Sequence, residues 1–236
     1  MTQRLNDFLP KSLMSPDESR RHSKALDADL IADPDDRARA EVRNGLRQFD
    51  LGVEIIADAL SKGPRYRLRP STLLALHRTA LEGISTYAGN YRPAGIEIQG
   101  SKHTPPGAHR VPELVEDMCD YVNENWVSAT PVHLAAYLMW RLNWMHPFVD
   151  GNGRTSRIIS YVTLCVRLGF RLPGTMTIPE QIEKDRNPYF RALDEADAAY
   201  KQGRVDVSAM ETVIEGLLAK QLTNVYELAA GKSATS

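Results

Sequence analysis

His146-Pro147-Phe148-Val149-Asp150-Gly151-Asn152-Gly153-Arg154-Thr155-Ser156-Arg157 gathers a titratable base, a hard oxygen ligand, a flexible loop and two guanidinium groups into one segment. Gly151, Asn152 and Gly153 all tolerate positive φ, so the backbone can curl and aim successive N–H groups into one concavity, which suits an anion. From Arg154 the apolar residues recur at helical spacing as far as Leu168, with Gly169 as the stop, so the loop feeds a helix N-terminus. Arg154 and Arg157 then face the positive end of a helix dipole, an unfavourable place for cations unless a bound phosphate chain lies between them. One carboxylate, here Asp150, combined with ligand phosphates and water is a usual way to hold Mg²⁺. His146 can accept a proton near neutral pH. No Gly-Lys-Ser/Thr follows the glycines, so this is not a Walker A loop. The residues by themselves support a phosphate-handling site with a metal and stop there.

The segment resembles the signature of the Fic (Fido) family, His-x-Phe-x-(Asp/Glu)-Gly-Asn-Gly-Arg-x-x-Arg, at every specified position. Upstream, the stretch from Leu81 to Arg92 is similar to the Ala-Gly-x-Tyr/Phe-Arg segment of that family, and Ile96 to Pro106 is similar to its flap. Downstream, Asn187 to Leu193 is similar to its Tyr-Tyr/Phe-x-x-Leu helix, so the resemblance covers roughly residues 66 to 225. It implies an all-α fold, a Fic-type helical bundle with a short β-hairpin flap over the active site. It also implies a protein adenylyltransferase, which moves AMP from ATP to a Ser, Thr or Tyr hydroxyl of a target protein and releases pyrophosphate.

Carried over by position, the resemblance makes His146 the general base and Asp150 the Mg²⁺ ligand. Gly151, Asn152 and Gly153 cradle phosphates, Arg154 and Arg157 hold the β/γ end, and Thr155 and Ser156 complete that turn. Tyr189 and Asn187 belong to the nucleotide side, with Phe190 the alternative to Tyr189. Gln99, Gly100 and Ser101 are the flap positions expected to admit a target backbone as an added strand. Phe148 is expected to anchor the loop from the core. In several relatives an Asn follows the aromatic pair by seven residues; Asp197 stands there, which repels phosphate but can accept from a ribose hydroxyl.

The autoinhibitory (Ser/Thr)-x-x-x-Glu-(Gly/Asn) helix of many relatives has no match: Glu82-Gly83 follows Arg78, and Glu215-Gly216 follows Glu211. In the nearest N-terminal candidate, Ala40 to Gly45, a cation, Arg43, precedes Asn44, and Glu41 is the residue able to neutralise Arg157. The expectation is that this helix packs over the site and restrains it weakly or through Glu41. The readings held alongside are a de-AMPylase or transferase of another phosphate-containing group, and a nucleotide-gated regulatory or toxin-like binding module. The missing motif leaves room for an inhibitory partner in trans, and a homo-oligomer is also left open.

Around this core, 236 residues with 42% hydrophobic and 25% charged content describe an ordinary globular chain. A net charge of −1 gives no electrostatic reason to expect a nucleic acid, and no apolar run approaches a membrane span. A polar start without a secretory core points to a cytoplasmic protein, and Cys119 and Cys165 in apolar helical patterns read as reduced, buried thiols. The pattern divides into an N-terminal helical region, 1–60, packing on a Fic domain, 61–230, and a frayed tail, 231–236. Within the first, Val42, Leu46, Phe49, Val53, Ile56 and Leu60 fall on one helical face. Further helices are expected from Leu73 to Tyr87, Val111 to Glu124, Pro131 to Trp144, Arg154 to Leu168, Asn187 to Tyr200 and Val207 to Ala230.

Overall fold

Prolines open most of the helices, in the first turn where a missing N–H costs nothing. In the computed structural model, which describes residues 29–98, 101 and 103–231, these helices are α1 (Pro34–Lys62), α2 (Pro70–Leu81), α3 (Val111–Glu124), α4 (Pro131–Met145), α6 (Ile178–Lys184) and α7 (Asn187–Lys201). The remaining two, α5 (Asn152–Leu168) and α8 (Ser208–Ala229), have no proline there. The protein is all-α, as the sequence implies.

α4 is the axis. Ten of its residues from Leu134 to Met145 are buried, all round the helix, and it packs against α3, α5, α7 and α8. A helix apolar on every side must be enclosed, and this one delivers its C-terminus, His146, to the middle of the molecule. α5 runs from the motif loop and packs against α4, α1, α2 and α6. The site therefore lies where the end of α4 meets the start of α5, between the two best-buried helices.

α1 departs from the sequence reading. Of the expected face, Ile56 is buried and Phe49 and Leu60 pack on the core, but Val42 and Leu46 are 67% and 66% exposed, and the buried side includes Ala40, Asn44, Gln48, Gly52 and Ala59. The reason is the C-terminus of α2, whose last carbonyls need donors. Asn44 Nδ2 donates to Glu82 O at 2.8 Å and Ala80 O at 3.4 Å, and Gln48 Nε2 donates to Leu76 O at 3.2 Å. Gly52 lets α1 approach α5 closely: a Cβ there would meet Ile158 Cδ1 at 2.9 Å.

α2 ends at Leu81, six residues short of the expected Tyr87. Gly83 at φ 71° turns the chain, and Ile84 N and Ser85 N fold back onto Leu81 O at 2.9 and 3.1 Å. α6 has no counterpart in the sequence reading. Its signal was a capping box, Thr177-Ile178-Pro179-Glu180, in which Thr177 Oγ1 accepts from Glu180 N at 3.4 Å.

In the expected flap, Ile96 to Pro106, the described residues 96–98, 101 and 103–106 form no named strand, and Ser101 N donates to Ile98 O at 3.1 Å. Gln99 and Gly100 lie outside the described residues, as do 1–28 and 232–236. Cys119 and Cys165 are buried and free, and burial pushes the Cys119 thiol up to about 12. Among the described residues no helix is long and apolar enough to cross a membrane.

Candidate active site

Every exposed carbonyl at the end of α4 has a donor, and the donors build the back of the site. His146 N donates to Leu142 O at 2.9 Å, and His146 Nδ1 lies 3.2 Å from Asn143 O. His103 Nε2 takes Trp144 O at 2.6 Å. Arg92, only 3% exposed, donates from Nε to His146 O at 2.7 Å and from Nη2 to Met145 O at 3.4 Å. Its other bonds go to Ala94 O at 2.8 Å and to Pro106 O, while its backbone N–H takes Pro147 O at 2.9 Å. A cation at a helix C-terminus is also favoured by the dipole.

This arrangement fixes the chemistry of His146. It is the one non-glycine residue at positive φ among the described residues, φ 49° and ψ 62°, which turns its side chain out of the helix line. A ring nitrogen facing a carbonyl must carry the hydrogen, so Nδ1 is protonated and Nε2 holds the lone pair. Burial pushes the imidazole down to about 4, against the opposing pull of the Asn143 hydrogen bond. His146 is thus neutral at pH 7 and ready to accept a proton.

The loop is braced from below by His77. Its Nε2 donates to Asp150 O at 3.0 Å and its Nδ1 accepts from Gly89 N at 3.0 Å, so its tautomer is also fixed. The ring stacks on Phe148, centroids 3.7 Å apart and 5° from parallel. Burial pushes His77 down to about 4 as well. Phe148 is fully buried. Asn152 closes the loop with two bonds to Phe148, N–H to Oδ1 at 2.9 Å and Nδ2 to O at 2.8 Å.

Gly151 caps α5 at φ 76° without any side-chain bond, leaving the first N–H groups of α5 to the open side. A Cβ at Gly151 would meet Leu81 Cδ2 at 3.0 Å and His77 at 3.3 Å. Asp150 Oδ1 accepts from Gly151 N at 2.6 Å, and Oδ2 takes Arg154 Nη2 at 3.0 Å and Arg37 Nη2 at 3.2 Å. Burial works to raise this carboxyl, but Arg154, the Gly151 N–H and Arg37 outweigh it and hold it below the usual range. An ionised lone carboxylate beside an uncapped helix start fits a hard cation that takes its remaining ligands from phosphates and water. The described residues hold no cluster of three or more acidic, His or Cys ligands.

The other expected site residues differ in how far they are engaged within the protein. The Asn152 side chain is spent on Phe148, which leaves its backbone N–H for a ligand. Thr155 and Ser156 have no exposed surface; Ser156 Oγ donates to Gly153 O at 3.0 Å and takes Asn143 Nδ2 at 2.8 Å, so both face the interior. Tyr189 is 2% exposed with its hydroxyl 3.5 Å from Ser156 Oγ, and Phe190 is the partly exposed member of the pair. Asn187 is exposed at the start of α7, and its N–H is held by Asp185 Oδ1 at 3.1 Å. Ser101 Oγ accepts from His103 N at 3.1 Å. Asp197 accepts Trp140 Nε1 at 2.9 Å and faces His103 Nδ1 at 3.6 Å.

The acidic partners are also redistributed. Glu41 lies 3.1 Å from Arg37 and 3.8 Å from Arg154, so it is not the partner of Arg157. That role belongs to Glu183 of α6, whose Oε2 is 2.5 Å from Arg157 Nη2 and whose other oxygen meets Arg186. Arg157, for which the sequence offered Glu41, is thus paired with Glu183 in the structure. His77, Arg37 and Glu183 were not singled out because each belongs to an element whose packing had to be known first.

The Fic/DOC family model matches residues 67–164, the span holding α2, the arm to Arg92, α4 and most of α5. Residues 67–164 make this chain a Fic family protein. It is similar to the Protein adenylyltransferase Fic of Drosophila willistoni, 30% identical over 156 residues, and to that of Drosophila virilis, 31% identical over the same length. Those matches cover 65% of this chain and 30% of each relative, so the chain spans under a third of the relatives' length. Among solved structures, a Fic domain containing signaling protein from Bacteroides thetaiotaomicron has the same fold. Its TM-score is 0.67 at 21% identity, over 83% of this chain and 76% of that one. A Fic family protein from Desulfovibrio desulfuricans gives 0.60 at 25% identity, over 83% and 55%. Within this Fic protein, His77, Arg92 and the whole motif fall inside the matched span. Arg37 and Glu41 of α1 and Glu183 of α6 fall outside it.

Proposed function

We propose that this Fic protein is a protein adenylyltransferase that uses ATP with Mg²⁺. The observation that carries the reading is His146: a neutral imidazole, its tautomer fixed by Asn143 O, set at the mouth of an uncapped helix start beside Asp150, Arg154 and Arg157. The curated relatives carry the name adenylyltransferase.

In this reading His146 Nε2 takes the proton of a Ser, Thr or Tyr hydroxyl as that oxygen bonds to the α-phosphorus. The bond from the α-phosphorus to the bridging oxygen breaks, and pyrophosphate leaves with the electron pair. The backbone N–H groups at the start of α5, with Arg154 and Arg157, stabilise charge on the phosphate oxygens. Asp150 would hold Mg²⁺, which supplies charge neutralisation at the phosphates. The target segment lies along the arm of Ile96 to His103, adding main-chain bonds there.

The test is transfer of label from α-labelled ATP to protein in the presence of Mg²⁺, compared between wild type and His146→Ala. Incorporation that disappears in the variant is expected. Label arriving only from γ-labelled ATP would overturn the reading in favour of a kinase-like transfer.

A further inference from the structure

Asp150 is already engaged by a cation from outside the matched domain. The Arg37 guanidinium touches three carboxylates: Nη1 is 2.5 Å from Asp29 Oδ1, Nε is 3.1 Å from Glu41 Oε1, and Nη2 is 3.2 Å from Asp150 Oδ2. The same Oδ2 takes Arg154, and Oδ1 takes the Gly151 N–H. A divalent cation needs at least one of these oxygens with its lone pairs turned to the metal, and a guanidinium bonded to that oxygen repels it.

Of the two guanidiniums, Arg37 is the one that keeps two close carboxylate partners on leaving Asp150, Asp29 at 2.5 Å and Glu41 at 3.1 Å. Asp29 is the shorter of its contacts and is itself fixed, since Leu30 N donates to Ile84 O at 2.8 Å and Asp29 bridges to Ser85. Its side chain is 63% exposed against 33% for Asp150, so the withdrawal runs toward solvent. Among the described residues, the ion-pair partner left to Arg154 is Glu41, at the longer distance of 3.8 Å.

Building on the adenylyltransferase reading, we propose that Arg37 is a guanidinium stand-in for the divalent cation at Asp150. The metal binds by displacing Arg37 onto Asp29 and Glu41. α1 thereby sets how much divalent cation the site requires, and metal occupancy is coupled to the position of the α1 start.

The test is a titration with Mn²⁺ followed by electron paramagnetic resonance, on the full chain with a non-hydrolysable α,β-methylene ATP analogue. Arg37→Ala is expected to lower the Mn²⁺ midpoint about fivefold, the scale of removing one partly exposed competing charge. Arg37→Gln, which keeps a donor without the charge, is expected to shift it the same way. Arg39→Ala serves as the control, because Arg39 is exposed and pairs with Asp36. An unchanged or higher midpoint in both Arg37 variants would overturn the proposal, as would an equal drop in Arg39→Ala. If wild type binds Mn²⁺ no better than Asp150→Asn, the adenylyltransferase reading fails and takes the proposal with it.

Discussion

The back and the front of the motif loop are held by different kinds of bond. Behind it, Arg92, His77 and Asn152 are buried and bond to backbone groups: Arg92 to four carbonyls, His77 to Asp150 O and Gly89 N, and Asn152 to Phe148. In front, Asp150 and Arg157 are held by ion pairs whose outer members, Asp29, Glu41 and Glu183, reach solvent. Buried bonds that water cannot replace hold a single geometry, since breaking them leaves desolvated groups. Half-exposed ion pairs are worth at most about 1 kcal/mol and exchange partners readily. The back therefore sets where His146 points, and the front is where a charged ligand competes.

The sharpest way to break this contrast is Arg92→Ala. Four carbonyls lose their donor, two of them, Met145 O and His146 O, at the end of α4, so a loss of roughly 3–5 kcal/mol in unfolding free energy is expected from urea melts. Arg92→Lys should recover only part of it, because one ammonium cannot span that fan of acceptors. A loss under about 1 kcal/mol in Arg92→Ala would mean that the back is no firmer than the front.

Acid should act on the back next. His77 and His146 both fall from 6.5 to about 4 in the folded state, chiefly through burial. Between those values the unfolded chain binds more protons than the folded one. The stability these neutral rings contribute is therefore fully present above pH 6.5 and is lost as pH falls toward about 4. The unfolding free energy of wild type, read from urea melts at each pH, should drop across that window by an amount of the order of a few kcal/mol for the pair. His146→Ala should remove about half of the slope, since His77 alone then titrates. Parallel slopes in the two proteins would show that His146 is not held neutral by the fold.

The same division explains what was legible in the sequence. The motif loop, α3, α4, α5 and α7 could be read because their signals are local: glycines, helical periodicity and a matching signature. The α1 face was legible in its second half, at Phe49, Ile56 and Leu60, but not at Val42 and Leu46, since the buried side there carries Asn44 and Gln48 for carbonyls of α2 and its cap that lie more than twenty residues away. Hydrophobic periodicity has no way to register that demand. α6 is seven residues long, too short for a period, although its capping box was visible. Glu183 and Arg37 went unnoticed for this reason, and with them the ion pairs across the front. Tyr189 and Phe190 could not be told apart by spacing, and packing against Ser156 decided between them.

The smallest effects lie in front, and their order matters more than their size. Glu183→Gln removes the carboxylate 2.5 Å from Arg157, freeing a guanidinium that is almost wholly buried to meet phosphate. Nucleotide affinity, read by calorimetry with the α,β-methylene analogue, should tighten by roughly three- to tenfold. Glu41→Gln should stay within about twofold of wild type, because its contact with Arg154 is long and its side chain is well solvated. If Glu41→Gln gave the larger gain, the restraint on the phosphate end would lie in α1 rather than α6. Arg154 would then be the arginine whose release limits binding. The predicted ranking follows from distance alone: of the two glutamates, only Glu183 is close enough to stand where a phosphate oxygen has to go.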